Sequence, residues 1–220
     1  MIIIGISGSP RGAESQTLRL VAAVLAGARA GGAETELADV GGLRFAFCTA
    51  CETCHATGQC VHHDEAARLI DRLMKADGIV LGSPNYFRNV TAPMKAFLDR
   101  MSRIIHGQLF TGKYGCSVAT AGGPAPGIVT DYLNDTLISL GVYAVGRVAV
   151  SLSEGPDALA RGLDQANALG RDLAAAIAGK RVYEDQKKTH ERTAAYFRHL
   201  VERNRDRWPH EHEAWIKQGS

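Results

Sequence analysis

The sequence predicts an α/β protein built on a doubly wound parallel sheet. Three observations carry that expectation. Ile2, Ile3, Ile4 and Ile6 form a short apolar, β-branched run, the pattern of a strand buried on both faces. The run feeds a loop, Ser7-Gly8-Ser9-Pro10-Arg11-Gly12, and then a helical pattern in which Leu18, Val21, Ala22 and Leu25 recur. Strand and helix patterns go on alternating until five of each are counted, and parallel neighbours need such crossovers.

The elements follow in order. The first helix starts at Ser15 and Thr17, and Ala33 to Leu37 is the second strand, after the Gly31-Gly32 break. From Gly41 to His63 runs a long connection carrying four of the five cysteines. Asp64 is placed to N-cap a helix through Lys75, with Ala67, Ile70, Leu73 and Met74 on one face. Ile79 to Leu81 is the third strand, ending at Gly82-Ser83-Pro84. Thr91 and Pro93 start the next helix, with Met94, Phe97, Leu98 and Met101 facing inward. Tyr114 to Thr120 is the fourth strand, ending at Ala121-Gly122-Gly123. A helix with Ile128, Tyr132, Leu133, Ile138 and Leu140 leads to a fifth strand, Tyr143 to Leu152, and the last core helix runs from Asp157 to Ala178.

The chain thus divides into a core unit, 1–180, and a charged helical extension, 181–220. In the extension Ala194, Phe197, Val201 and Trp208 fall near helical spacing, with Tyr196 and Leu200 beside them. Pro209 is expected to end that helix and Trp215 to anchor a final turn. So much aromatic surface predicts that the tail is an assembly element stabilising a homodimer or homotetramer; packing back on its own sheet is the alternative.

Bulk properties narrow the function. At 220 residues, 45% hydrophobic and 22% charged, the chain is one ordinary globular domain with an appendage. A net charge of +2 is too small to argue for nucleic acid, and no uncharged apolar run is long enough to span a membrane. No basic segment precedes the first apolar run, so no signal peptide is expected and the expected compartment is the cytoplasm. There, the five cysteines read as thiols or ligands rather than disulfides.

The chemistry concentrates in loops. A loop of glycines, hydroxyls and one arginine before a helix N-terminus is an anion cradle, because free N–H groups and the helix dipole favour negative charge. There is no G-x-x-x-x-G-K-[ST], which argues against a P-loop NTPase, and Gly5, Gly8 and Gly12 do not fit G-x-G-x-x-G. Hydroxyls with Arg11 suit a terminal phosphate monoester of the kind FMN carries. The alternative is a βα turn that uses Gly, Ser and Pro only to turn. In such sheets ligands sit beyond the carboxyl ends of the strands, so the loops after strands one, three and four should meet. Tyr86 and Phe87, beside small polar residues, offer stacking surface to a flat aromatic ligand, although ordinary packing explains either ring taken alone. Ala121-Gly122-Gly123 lets backbone approach closely.

These residues carry a resemblance. Gly5-Ile6-Ser7-Gly8-Ser9-Pro10-Arg11 with Ser15 and Thr17, then Gly82-Ser83-Pro84-Asn85-Tyr86-Phe87, then Lys95-Ala96-Phe97-Leu98-Asp99-Arg100 occur in family order. Over roughly residues 1–150 the chain resembles the NADPH-dependent FMN reductase superfamily of flavodoxin-like proteins. The resemblance implies strand order 2-1-3-4-5, bound FMN, and NAD(P)H as electron donor. It implies that Ser9, Arg11, Ser15 and Thr17 hold the FMN phosphate, with Pro10 and Gln16 in the same binding loop. Pro84, Asn85, Tyr86 and Phe87 would border the isoalloxazine together with Ser83 and Arg88, and Thr120, Ala121, Gly122 and Gly123 would lie on its other edge. Asn85 stands where the family places a small apolar residue. The flavin bears the chemistry, so no catalytic side chain is expected. Asp99 and Arg100 read as a structural ion pair or helix-end contacts.

Cys48-x2-Cys51-x2-Cys54-x5-Cys60, in the loop after strand two, further resembles the iron–sulfur flavoprotein branch. Three cysteines so spaced can wrap one corner of a 4Fe-4S cluster, with a fourth closing it. Zinc also takes four thiolates, usually from two separated C-x2-C pairs, and bare thiols in a surface loop are a third possibility. His62 and His63 read as solvated, and Cys116 as a small buried residue. Three functions stay open: an FMN-dependent NAD(P)H oxidoreductase relaying electrons through a cluster, a quinone or small-oxidant reductase without one, and a non-catalytic FMN-binding electron carrier. The partner is a small-molecule or protein electron acceptor.

Overall fold

The computed structural model describes residues 1–218. Strands β1 (Ile2–Ser7), β2 (Glu34–Asp39), β3 (Gly78–Pro84), β4 (Tyr114–Ala121) and β5 (Tyr143–Ser151) form one parallel sheet in the order β2-β1-β3-β4-β5. The period of two divides the apolar strands between two cores: Ile4, Ile6, Ile79 and Leu81 face one layer, Ile3 and Val80 the other. Every residue of β4 is buried, as a central strand requires.

Helices α1 (Gln16–Ala30) and α7 (Ala158–Ala178) cover one face. The other carries α3 (Glu65–Lys75), α4 (Ala92–Asp99), α5 (Ser102–Gly107) and α6 (Gly127–Ser139). Local chemistry starts three of them as the sequence indicates. Ser15 accepts from Leu18 N–H, Asp64 from Ala67 N–H and Thr91 from Met94 N–H. Between α1 and α7 only glycine fits: a Cβ on Gly27 would lie 1.9 Å from the Asn167 carbonyl oxygen, and one on Gly170 1.9 Å from that of Val24.

The structure departs from expectation in three places. The helix opened at Thr91 stops at Asp99 because Arg100 and Met101 donate to the carbonyls three residues back, a tightened last turn after which α5 starts afresh. A five-residue helix, α2 (Thr53–Thr57), sits inside the cysteine loop between left-handed Glu52 and Gly58. Pro209 opens a helix instead of ending one. α8 (Glu184–Arg203) has already stopped, and proline at the first position of α9 (Pro209–Gln218) sacrifices no hydrogen bond.

The extension is seated on its own subunit. Val201, Trp208 and Trp215 bury themselves with Ala194, Phe197 and Leu200, and the Trp215 indole donates to His106 O at 3.1 Å. Gln186 both donates to and accepts from the backbone of Ala144 on edge strand β5, at 2.9 and 2.8 Å. Much of the stripe that raised the expectation of a neighbouring subunit is thus packed within the chain, while Tyr196 stays exposed.

Candidate functional site

At the carboxyl ends of β1, β3 and β4 the loops enclose a cavity of about 110 Å³. It is lined by Ser9, Arg11, Ser15, Gln16, Thr17, Pro84, Asn85, Tyr86, Thr120, Ala121 and Gly122, with Leu152 from the end of β5. The loops brace one another. Gly8 N–H donates to Gly82 O at 2.8 Å, Asn85 N–H to Thr120 O at 2.8 Å, and the Thr17 and Thr120 hydroxyls meet at 2.6 Å. Thr91 Oγ1 donates to Gly8 O and its N–H donates to Ser83 Oγ at 3.0 Å.

The remaining residues of the expected flavin set lie outside this lining, each for a visible reason. Ser83 is the buried brace just described, and Gly123 O is taken by Ser151 Oγ at 2.8 Å. Phe87 and Arg88 form the tip of a two-residue turn closed by paired Tyr86–Asn89 bonds at 2.9 and 3.0 Å, both in the left-handed region (φ 50° and 62°). Phe87 is fully exposed there. Pro10 is exposed beside the lining. Leu152 was not anticipated, since nothing in its local sequence marks it as pocket-forming.

Two observations fit a flavin nucleotide. Asn85 Oδ1 is buried with no donor among the described residues, while its Nδ2 donates to Ala125 O at 3.3 Å. An orphan acceptor in a pocket wall suits a ring N–H. A Cβ on Gly122 or Gly123 would meet nothing within 4 Å, so the backbone there faces open space. On the phosphate side, Arg11 is the one cation of the lining, beside the N-terminus of a 15-residue helix.

A second cavity is lined by all four loop cysteines together with Glu52, His55, His62 and Arg100. Left-handed Ala50 (φ 53°) and Glu52 (φ 60°) bracket Cys51 as the chain wraps around it, strain of the kind that functional loops store. Burial, then the charges of Glu211, Cys60, Cys48 and Cys51, push the Cys54 thiol up to about 11. The soft donor set of the four thiols around one space, supplied by one contiguous wrap, fits an iron–sulfur cluster better than zinc.

Arg100 is not paired with Asp99, which takes Lys95 at 2.5 Å. Its guanidinium grips Asp64 at 2.8 and 3.1 Å, and donates to Ala46 O at 2.8 Å, His62 O at 3.2 Å and Cys60 Sγ at 3.4 Å. Burial would raise the Asp64 pKa, but Arg100 and the N–H groups of Ala46 and Ala67 outweigh it and hold the carboxyl at about 2. His62 is half-buried with Nε2 unpartnered among the described residues, so only exposed His63 behaves as a solvated histidine.

Behind the cysteines, His55 Nδ1 lies 2.5 Å from Glu211 Oε1, and His106 Nδ1 lies 3.4 Å from Oε2. Such a His–His–Glu group resembles a metal site, with ligand atoms within 4.8 Å of one another. The rings, however, stack at 4.3 Å and 13°, so their in-plane lone pairs run parallel instead of converging. His55 also has both nitrogens engaged, the second with Ser102 Oγ at 3.2 Å. The group is a buried joint that fastens α9 to α2 and α5. Glu52 adds to it, accepting from the Trp208 indole at 3.0 Å and from Arg207 at 2.5 Å.

Comparison with known proteins follows the same two sites. The sequence model of the NADPH-dependent FMN reductase family matches residues 1–157. The chain is 35% identical over 182 residues to an iron–sulfur flavoprotein of Archaeoglobus fulgidus, covering 82% of each. It is similar in structure to an apo NADH:FMN oxidoreductase (EMOB), with a TM-score of 0.59 and 27% identity over 77% of this chain and 88% of that one. A flavodoxin from the domain Archaea shares the fold, with a TM-score of 0.55 and 15% identity over 81% of this chain and 99% of that one.

Proposed function

The chain belongs to the NADPH-dependent FMN reductase family, and from that premise we propose that it joins a flavin site at the β1, β3 and β4 ends to an iron–sulfur cluster on Cys48, Cys51, Cys54 and Cys60. It is an FMN-dependent NAD(P)H oxidoreductase. When bound, FMN accepts a hydride from NAD(P)H and a cluster passes electrons singly. Everything else falls to the chain. Arg11, the Ser9 hydroxyl and the first amides of α1 would hold the phosphate. Asn85 Oδ1 would accept from a ring N–H, and Gly122 would leave room for the ring. No side chain is assigned a proton.

The cluster rests chiefly on one observation: four thiols and a buried arginine line a single cavity. α4 supports coupling to the flavin. Thr91 at its start binds the loops of β1 and β3, and Arg100 past its end lies in the cysteine cavity. Eight residues of helix separate them by about 12 Å. No helix among the described residues is long and apolar enough to cross a membrane. On this reading the protein works in the cytoplasm on a small-molecule or protein acceptor, as a homodimer or homotetramer.

Anaerobic purification and reconstitution test this. The expected protein is yellow, bleaches with NAD(P)H, and carries about four irons with matching sulfide per chain. Bleaching without iron leaves a reductase that hands electron pairs to a quinone or similar oxidant, and zinc in place of iron makes the site structural. A chain that takes up no FMN overturns the whole assignment.

A further inference from the structure

A full positive charge is costly to bury, and the Arg100 side chain is 1% exposed. Holding the chain together does not account for it. Asp64 caps α3 through Ala67 N–H whether or not a cation is near, and a packed apolar side chain would fill the same space more cheaply. What distinguishes the position is sulfur. Arg100 is the one lysine or arginine lining the cysteine cavity, and its Nη2 donates to Cys60 Sγ at 3.4 Å. The Asp64 carboxylate and the carbonyls of Ala46 and His62 fix the plane of the guanidinium, so the N–H toward Cys60 is held and not merely available. Arg100 Nε is buried with no acceptor among the described residues.

A cluster on four thiolates is anionic and gains one more negative charge when reduced. N–H···S bonds and a nearby cation stabilise the reduced form more than the oxidised one, and such contacts are the protein's means of setting the potential. We propose that Arg100 is a positioning residue that orients Cys60 and raises the reduction potential of the cysteine site; this rests on the iron–sulfur assignment above. With both groups bound, the residue would favour a one-electron transfer from reduced flavin to oxidised cluster, with no bond made or broken.

The test uses Arg100→Gln and Arg100→Lys in the full chain, reconstituted anaerobically. FMN content reports folding, iron per chain reports occupancy, and a redox titration followed by EPR gives the midpoint potential. The glutamine variant should have a midpoint more negative than wild type. Lysine, which keeps the charge but cannot hold Asp64, Ala46 O and Cys60 together, should fall between. A merely structural arginine would lower iron occupancy without moving the midpoint of the clusters that remain. If the glutamine variant does not fold, the lysine variant decides. Unmoved midpoints in the variants that fold overturn the role of Arg100 and leave the cluster standing. Wild-type protein that takes up no iron overturns the cluster and this role with it.

Discussion

Arg11 lines the cavity at the β1, β3 and β4 ends from an exposed position and has no acidic partner among the described residues. Its charge is therefore free for an anion. A charge-assisted phosphate contact contributes about 1.5–3 kcal/mol, so Arg11→Ala should weaken FMN binding roughly 10- to 200-fold. A fluorescence titration that shows unchanged affinity would remove the phosphate from this loop. Asp64 makes a different kind of claim. It caps α3, pairs with Arg100 and accepts from Ala46 N–H at 3.0 Å. A carboxyl held at about 2 when folded, against about 3.9 unfolded, adds stability that is complete above the unfolded value and fades as pH falls through the folded one. Asp64→Asn should cost about 3–5 kcal/mol near neutrality, because it strands a buried arginine. The loss should shrink as pH falls from about 4 to 2, where the wild-type carboxyl is itself protonated. Urea melts across that range check it; a penalty that does not depend on pH would mean the charge contributes nothing.

Among the elements, the α1–α7 contact is set by Gly27 and Gly170, where backbone meets backbone. Gly170→Ala would gain about 0.5–1 kcal/mol of helix propensity. Its Cβ would nonetheless sit 1.9 Å from a carbonyl oxygen that cannot rotate away, and overpacking of this kind costs about 1–3 kcal/mol or more. The variant should melt several degrees below wild type. Gly127→Ala in α6 is the control, because its Cβ meets nothing within 4 Å; equal melting temperatures for the two would refute the close contact. At the joint beneath the cysteines, Trp208 packs tilted against His55 and His106, with ring centroids 5.0 and 5.2 Å apart. Trp208→Ala should cost about 3–5 kcal/mol. If α9 braces the cysteine loop, the same change should lower iron retention while FMN affinity holds.

At the scale of the whole molecule, residues 181–218 form part of the protein's packing, although composition sets them apart. They supply Gln186 to the open edge of β5, and Arg181 O accepts from Tyr114 Oη at 3.0 Å. Glu211 and Trp208 reach the cysteine loop. A chain ending at Lys180 should melt lower and aggregate through its exposed sheet edge. FMN affinity should change little, since no residue of the tail lines that pocket. Calorimetry with light scattering on the shortened chain tests this, and a wild-type melting temperature would make the tail a passenger.

Much of this was legible along the chain. Strand runs, helix faces and the caps Ser15, Asp64 and Thr91 depend on residues within about four positions of one another, a range at which side-chain chemistry acts before any fold exists. Parallel topology then carries the loops after β1, β3 and β4 to one end, so the cavity there needed little more than the order of the elements. Resemblance added the strand order and the cofactor. The tertiary structure decided what depends on distant partners. Arg100 ignores its neighbour Asp99 for Asp64, 36 positions away, and His55 finds Glu211 at a separation of 156. Phe87 turns out to solvent on a strained turn, and the charged tail buries its tryptophans against the cysteine loop. The partners of such charges and rings cannot be read locally, because their environment is made by segments that only a packed sheet brings together.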